Sequence, residues 1–374
     1  MLTQKAKTLI PVEMLSRIPN SAEGSRTIPS LDGLRAISIA LVILSHAQGT
    51  RGFPGWIPRF IADGTLGVQI FFIISGFLIT ALLIQEQTST GAISLGLFFA
   101  RRTLRIFPPF YCFLAIVAVA TWMGLFAIPL RNFLFAATYT MNYIGTGGLW
   151  ETGHIWSLSV EEQFYVVWPL IVKFSGQRRA LWIAGTLAIT APLVSLAVYL
   201  IDPSVGTRFT MYFPFVADSI AAGCVLAGIL PWLRRKPIFR WFASPVGDLV
   251  VPFIVLLDLG RHHPRIHLAL TETALNLCIC YAIVRYIEFP CCVVGRILNN
   301  RALSFIGKLS YSLYIWQQIF FNPYGTSLVQ AFPINVAASF SCALASYYSL
   351  ELPMAGIRKR LKPAVRAFAT TPLL

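Results

Sequence analysis

Long apolar runs separated by short polar stretches dominate the chain from about residue 34 to residue 350. They lie near 34–48, 67–84, 107–126, 157–174, 180–200, 213–233, 245–259, 268–287, 303–321 and 329–350. The runs are continuous and do not alternate with period two, which predicts helices and excludes a β-barrel. About twenty apolar residues rising about 1.5 Å each cross the roughly 30 Å of bilayer hydrocarbon, and a helix satisfies its own backbone there. The pattern therefore predicts an all-α integral membrane protein with about ten transmembrane helices and both termini cytoplasmic. A shorter run, 131–144, is expected as an outer loop or re-entrant piece, because one more span would upset the charge pattern. Residues 1–30 mix Lys5, Lys7, Arg17 and Arg26 with three prolines and form no signal-like apolar core. They are expected as a cytoplasmic tail, followed by a transmembrane domain over 31–352 and a basic cytoplasmic tail over 353–374.

Composition sharpens this picture. Of 374 residues 56% are hydrophobic and 12% charged, about half the charged share of a soluble domain, too little to coat a water-soluble globule. The net charge of +15 comes without a basic, aromatic-interleaved domain, so nucleic acid is not an expected partner. The charge is instead a topology signal. With both termini inside, 24 of the 30 Lys and Arg residues fall on the cytoplasmic side, and Arg51, Arg59, Arg131, Arg208, Arg261 and Arg265 fall outside. Seven cysteines lack metal-ligand spacing and are expected as free core thiols, with no metal site. There is no tandem repeat and no inverted similarity between the halves, which weakens a transporter assignment.

Ionisable residues inside apolar spans are costly and mark function by default. His46 follows Arg35 by eleven residues, which on a helix puts both on nearly one face, rotated by roughly 20° and displaced by roughly 16 Å. The bland alternative for His46 is a hydrogen bond to a neighbouring helix. Counting along the spans puts His46 roughly 13 Å, Ser75 roughly 12 Å, and Glu161 and Glu162 roughly 6 to 8 Å below the outer face. A base, a hydroxyl and carboxylates are thus expected in one layer. Neighbours on a helix are about 100° apart, so only one of Glu161 and Glu162 is expected to face the site. Asp218 and Glu272 are expected at the membrane interface and Asp258 facing a loop. On the inner side Arg101, Arg102 and Arg105 precede Pro108 and Pro109. Alone they fit ordinary positive-inside anchoring; with Arg35 they make four guanidiniums suited to a polyphosphate. A donor with a phosphorylated head and a long arm has the shape of a coenzyme A thioester. The chain carries no Walker loop, no Gly-x-Ser-x-Gly elbow and no His-Glu-x-x-His helix.

These residues resemble the bacterial membrane-bound acyltransferase-3 family. Arg35 with ten residues before His46 matches its N-terminal signature, within Leu31-Asp32-Gly33-Leu34-Arg35-Ala36. Gly67-Val68 through Phe71-Phe72 to Ser75-Gly76-Phe77-Leu78 resembles its second motif, and Arg101-Arg102 with Arg105-Ile106 and Pro108 its third. Trp156-Ser157-Leu158-Ser159-Val160-Glu161-Glu162-Gln163-Phe164-Tyr165 is similar to the fourth, and Ser304-Phe305-Ile306-Gly307 with Ser310-Tyr311-Ser312-Leu313-Tyr314-Ile315-Trp316 to the C-terminal one. The resemblance implies a multi-pass protein of the bacterial cytoplasmic (inner) membrane, moving an acyl group, often acetyl, from acyl-CoA to a hydroxyl of a carbohydrate or other acceptor. Gln69 stands where many relatives carry an acidic residue and Gln317 where many carry His; both are expected to leave Arg35, His46 and the glutamates untouched. The mechanism expected from these residues has Arg35, Arg101, Arg102 and Arg105 on the coenzyme phosphates and His46 as general base, oriented by Glu161 or Glu162. An acyl-histidine route stays open beside it. Ser75 and the Gly76 backbone either polarise the thioester carbonyl or allow close helix packing. The competing class is a proton-coupled transporter with His46 and the carboxylates as relay.

Overall fold

The computed structural model describes residues 28–58, 63–144, 149–202, 211–261 and 269–361, and every regular element among them is helical. Lys5, Lys7, Arg17, Arg26, Arg59, Arg208, Arg265, Lys362 and Arg366, and with them most of the two expected tails, lie outside the described residues. The elements are α1 Pro29–Ala47, α2 Gly64–Thr90, α3 Leu95–Trp122, α4 Leu130–Ala137, α5 Ile155–Ile201 and α6 Phe213–Leu233. They continue with α7 Val250–Arg261, α8 Ala269–Glu288, α9 Val293–Leu298, α10 Arg301–Gln317, α11 Ile334–Ser346 and α12 Leu352–Arg360.

By length and composition α1, α2, α3, the stretch Trp150–Ile201 and α6 can each cross a membrane, and Pro237–Ala243 with Pro245–Gly260 makes a sixth crossing if that pair, bent by 70°, is one span. The other apolar runs fold as helices that are shorter or more charged: α8 carries Glu272, Arg285 and Glu288, and α10 has 17 residues including Arg301 and Lys308. The stretch Trp150–Ile201 has 52 residues, about 78 Å if straight, more than twice the hydrocarbon thickness. It is not straight. Gly176 adopts φ 77° and ψ 158°, a conformation essentially reserved for glycine, and divides α5 into two arms that coincide with the runs 157–174 and 180–200. Lys173, Arg178 and Arg179 are exposed around the break. The 131–144 run forms the eight-residue α4 and a single turn at Met141–Tyr143, an element of about 12 Å that cannot reach across the bilayer.

Close backbone contacts hold the bundle. A Cβ on Gly76 would lie 2.0 Å from the Ile220 carbonyl oxygen and one on Gly223 2.1 Å from that of Ile73, so α2 and α6 touch backbone to backbone. At the foot of α1, a Cβ on Gly307 would meet the Asp32 carbonyl oxygen at 1.8 Å. The second motif's Gly76 is thus explained by packing.

Three sequence expectations are corrected here. Asp218 is not interfacial but buried, accepting a hydrogen bond from Asn276 Nδ2 at 2.7 Å. Gln69 Nε2 in turn donates to Asn276 Oδ1 (2.8 Å) and to Glu272 Oε2 (3.2 Å), joining α2, α6 and α8. Amide donors on facing helices make that burial tolerable. Asp258 is likewise buried instead of loop-facing. All seven cysteines are free, yet Cys291 is exposed, so they are not uniformly core thiols.

Candidate active site

Five helices wall one open cavity. Arg35 enters from α1; Phe71, Phe72 and Ser75 from α2; Arg102 and Arg105 from α3; Ser157, Glu161, Glu162 and Tyr165 from α5; Ser310, Tyr311 and Tyr314 from α10. Guanidiniums and carboxylates therefore face one space.

The carboxylate side is tied down by hydroxyls. Ser75 Oγ donates to Glu161 Oε1 at 2.8 Å, and the Tyr165 hydroxyl donates to Glu161 Oε2 at 3.3 Å and to Ser75 Oγ at 3.1 Å. Tyr165 lies one turn after Glu161, so both come off the same face of α5. Ser75 and Glu161 meet because the helical turn Trp150–Gly153 runs into α5; Glu161 sits about seven residues deeper in its helical stretch than the apolar pattern alone suggested. The Ser75 hydroxyl is directed at Glu161. Glu162 lines the cavity as well, which corrects the expectation that only one of the pair faces it: the space wraps around that flank of α5.

The basic side differs from expectation in membership. Arg35 Nη1 lies 3.5 Å from Asp32 Oδ1. The Arg102 guanidinium stands over the Tyr165 ring, 5.0 Å from its centroid, a cation–π arrangement. Arg101 does not line the cavity; its Nε donates to the Leu361 carbonyl at 3.0 Å and its Nη2 donates to the same oxygen, pinning the end of α12. In its place α12 brings Arg358 into the field of Arg105, Arg102 and Arg101. Burial, then the neighbouring Arg105 charge, lower Arg358 to about 10, which leaves it a cation at neutral pH. Sequence reasoning missed Arg358 because Arg358-Lys359-Arg360 looks like any basic flank.

His46 stands apart. It lies in the last turn of α1, its Nδ1 is 2.9 Å from Gln317 Oε1, and its ring meets Trp150 edge-on with centroids 5.6 Å apart. It is not among the cavity-lining residues, and among the described residues its side-chain partner is Gln317, not a glutamate. The expectation that Glu161 or Glu162 orients His46 is corrected, and although Arg35 and His46 lie on nearly one face of α1, only Arg35 lines the cavity. The expectation that Gln317 leaves His46 untouched is corrected as well. Near His46 stands His154, which sequence reasoning passed over although it lies just before the Trp156 motif. Its Nε2 donates to the Ile315 carbonyl at 3.1 Å, its ring packs on Tyr314 at 5.5 Å, and it is electrostatically coupled to His46. The Tyr314 hydroxyl donates to the His154 carbonyl at 2.9 Å and pairs with Ser157 Oγ at 2.5 Å, closing this side of the cavity. Among the described residues no cluster of three His, Cys, Asp or Glu side chains could hold a metal ion.

The profile of the acyltransferase domain known as Acyl_transf_3 matches residues 28–351. The chain belongs to this acyltransferase family. Its relatives include the O-acetyltransferase OatA of Staphylococcus aureus (strain NCTC 8325 / PS 47), 30% identical over 378 residues that cover 93% of this chain and 59% of OatA. SACOL0978 of Staphylococcus aureus (strain COL), named as a candidate O-acetyltransferase, is 28% identical over 354 residues, 88% of this chain and 57% of its own length. The chain thus spans less than two thirds of the length of these relatives. No solved structure matches it. The family is one of acyltransferase domains, and both relatives carry the name O-acetyltransferase.

Proposed function

We propose that this acyltransferase-3 protein moves an acyl group, acetyl in the first instance, from acyl-CoA supplied on the cytoplasmic side to a hydroxyl of a carbohydrate acceptor such as a cell-surface or exported polysaccharide. The observation that carries the proposal is the single cavity that sets Arg35, Arg102 and Arg105 opposite Glu161 and Glu162. Three guanidiniums with Arg358 beside them form a cationic mouth matched to the phosphates of a coenzyme, because Arg forks bind phosphate oxygens in pairs. Phe71, Phe72 and Ile79 give the arm an apolar wall.

The proposed placement is a bacterial cytoplasmic membrane, with ten crossings and both ends on the cytoplasmic face. Each apolar run falls on a helix, and Arg35, Arg101, Arg102, Arg105 and Arg358 gather at one end of the bundle, in keeping with the positive-inside rule.

In the proposed chemistry His46 takes the proton of the acceptor hydroxyl as the oxygen attacks the thioester carbonyl. The new C–O bond forms, the C–S bond breaks, and the coenzyme thiolate leaves with the proton that His46 accepted. The C-terminal end of α1 lies next to His46 and its partial negative charge favours the transient imidazolium. Transfer at His46 requires the thioester end to pass the Ser157–Tyr314 hydroxyl pair. Glu162, on the cavity wall, is available to hydrogen-bond the pantetheine amides or the acceptor.

The test is to assay purified His46→Ala for coenzyme release and for acyl mass on the acceptor. Transfer is expected to vanish; near wild-type transfer would remove His46 from the chemistry. Solute flux without any covalent change would assign the bundle to transport instead.

A further inference from the structure

His46 is held by a closed loop of contacts made from two adjacent glutamines and a tryptophan. Gln317 is fully buried at the end of α10 and Gln318 follows it, also buried. Gln317 Nε2 donates to Gln318 Oε1 at 3.2 Å, which turns the Gln317 carbonyl oxygen towards the imidazole 2.9 Å away. The Gln318 backbone carbonyl accepts from Trp150 Nε1 at 2.9 Å, and the Trp150 ring returns to His46 edge-on. The foot of the same helix pair is locked where Gly307 meets the Asp32 backbone, so α1 and α10 cannot slide to release the contact. A carbonyl oxygen only accepts, so the hydrogen of the neutral ring sits on Nδ1 and the lone pair on Nε2.

We propose that Gln317 is the positioning residue of the active-site imidazole: accepting from His46 Nδ1–H, its side-chain amide fixes the tautomer whose Nε2 is the base. This rests on the assignment of His46 as the base of acyl transfer. A neutral amide performs here the orienting that a carboxylate performs in many catalytic triads. When Nε2 takes the acceptor's proton, the Nδ1–H bond to Gln317 becomes charge-assisted and shortens, without a second buried charge. The other titratable ring next to His46 is His154, and its Nε2–H is spent on the Ile315 carbonyl, so it cannot substitute for Gln317 through that nitrogen.

The experiment labels the histidines of the full-length protein with 15N in detergent micelles. The chain has five histidines, and His46→Ala identifies the His46 signal. His46 is expected to carry its hydrogen on Nδ1 in the wild type and to become a mixture of tautomers in Gln317→Met, a substitution of similar volume. A wild-type His46 with its hydrogen on Nε2, or an unchanged tautomer in Gln317→Met, overturns the proposal. In the transfer assay Gln317→Met is expected to lower kcat roughly ten- to hundredfold, the usual loss for a residue that orients a functional histidine, with KM for the donor within about twofold. Gln317→Glu keeps the acceptor oxygen and adds acidity, so transfer persists while the acid limb of its rate profile moves to higher pH. A profile superimposable on the wild type sinks the positioning role, since mere packing would not couple to protonation. Tautomer results as expected from a protein that transfers no acyl group would sustain the hydrogen bond and overturn the acyltransfer function.

Discussion

Replacing Arg358 by alanine removes one guanidinium from the field of Arg102 and Arg105 while leaving α3 and α1 intact. A unit charge about 6 Å from a phosphate oxygen contributes about 3 kcal/mol at an effective dielectric near 20. Arg358 is only half-buried, and Glu351 and solvent offset part of its field, so a loss of about 1.5 to 2 kcal/mol is expected, roughly ten- to thirtyfold in affinity. The assay compares equilibrium binding of intact acetyl-CoA with that of a truncated acetyl-pantetheine thioester that lacks the nucleotide. Arg358→Ala weakens the first and leaves the second within about twofold; Arg358→Lys, which keeps the charge but not the fork, falls between. Lys359→Ala, on the exposed side of the same helix, is the control and changes neither. Equal losses for the two thioesters would refute the phosphate role, and so would a Lys359→Ala loss as large as that of Arg358→Ala.

Two further substitutions test the frame around the site. Gly76→Ala forces a methyl group to within 2.0 Å of the Ile220 carbonyl, so α2 and α6 must separate; thermal unfolding in detergent is expected to report a loss of about 1 to 3 kcal/mol, and an unchanged midpoint would show that the helices have room to spare. Asn276→Leu removes the side-chain donor to the buried Asp218 carboxylate, which keeps its backbone contact at Ser219, and costs about 1 to 3 kcal/mol, whereas Gln69→Leu, which leaves the Asn276–Asp218 bond in place, costs less; the same unfolding assay ranks them, and the reverse order would show that the Gln69 contacts matter more than the Asn276–Asp218 bond.

The helices were legible wherever a side chain's neighbours in sequence determine its environment. The ten apolar runs fall on helices because each is predominantly apolar, and the split between 157–174 and 180–200 was visible as Gly176 among Lys173, Arg178 and Arg179. That Arg35, Ser75, Arg102, Arg105 and one of the two glutamates face protein was also legible, because a polar group within a span has to do so; that both Glu161 and Glu162 line the cavity was not. Partnerships between distant segments were not. His46 and Gln317 are 271 residues apart, and no periodicity tells which of several buried polar groups will meet. Arg101 and Arg358 exchanged roles because α12 folds back on α3 and offers Arg101 a carbonyl. Asp218 was taken for an interfacial residue because depth counting along one helix cannot see Asn276 on another.

The bend at Gly176 has a bearing on membrane insertion as well as on shape. Under the proposed ten-crossing topology the arms 157–174 and 180–200 are separate crossings because the helix breaks at Gly176, and Arg234, Arg235 and Lys236 then return to the face that holds Lys173, Arg178 and Arg179.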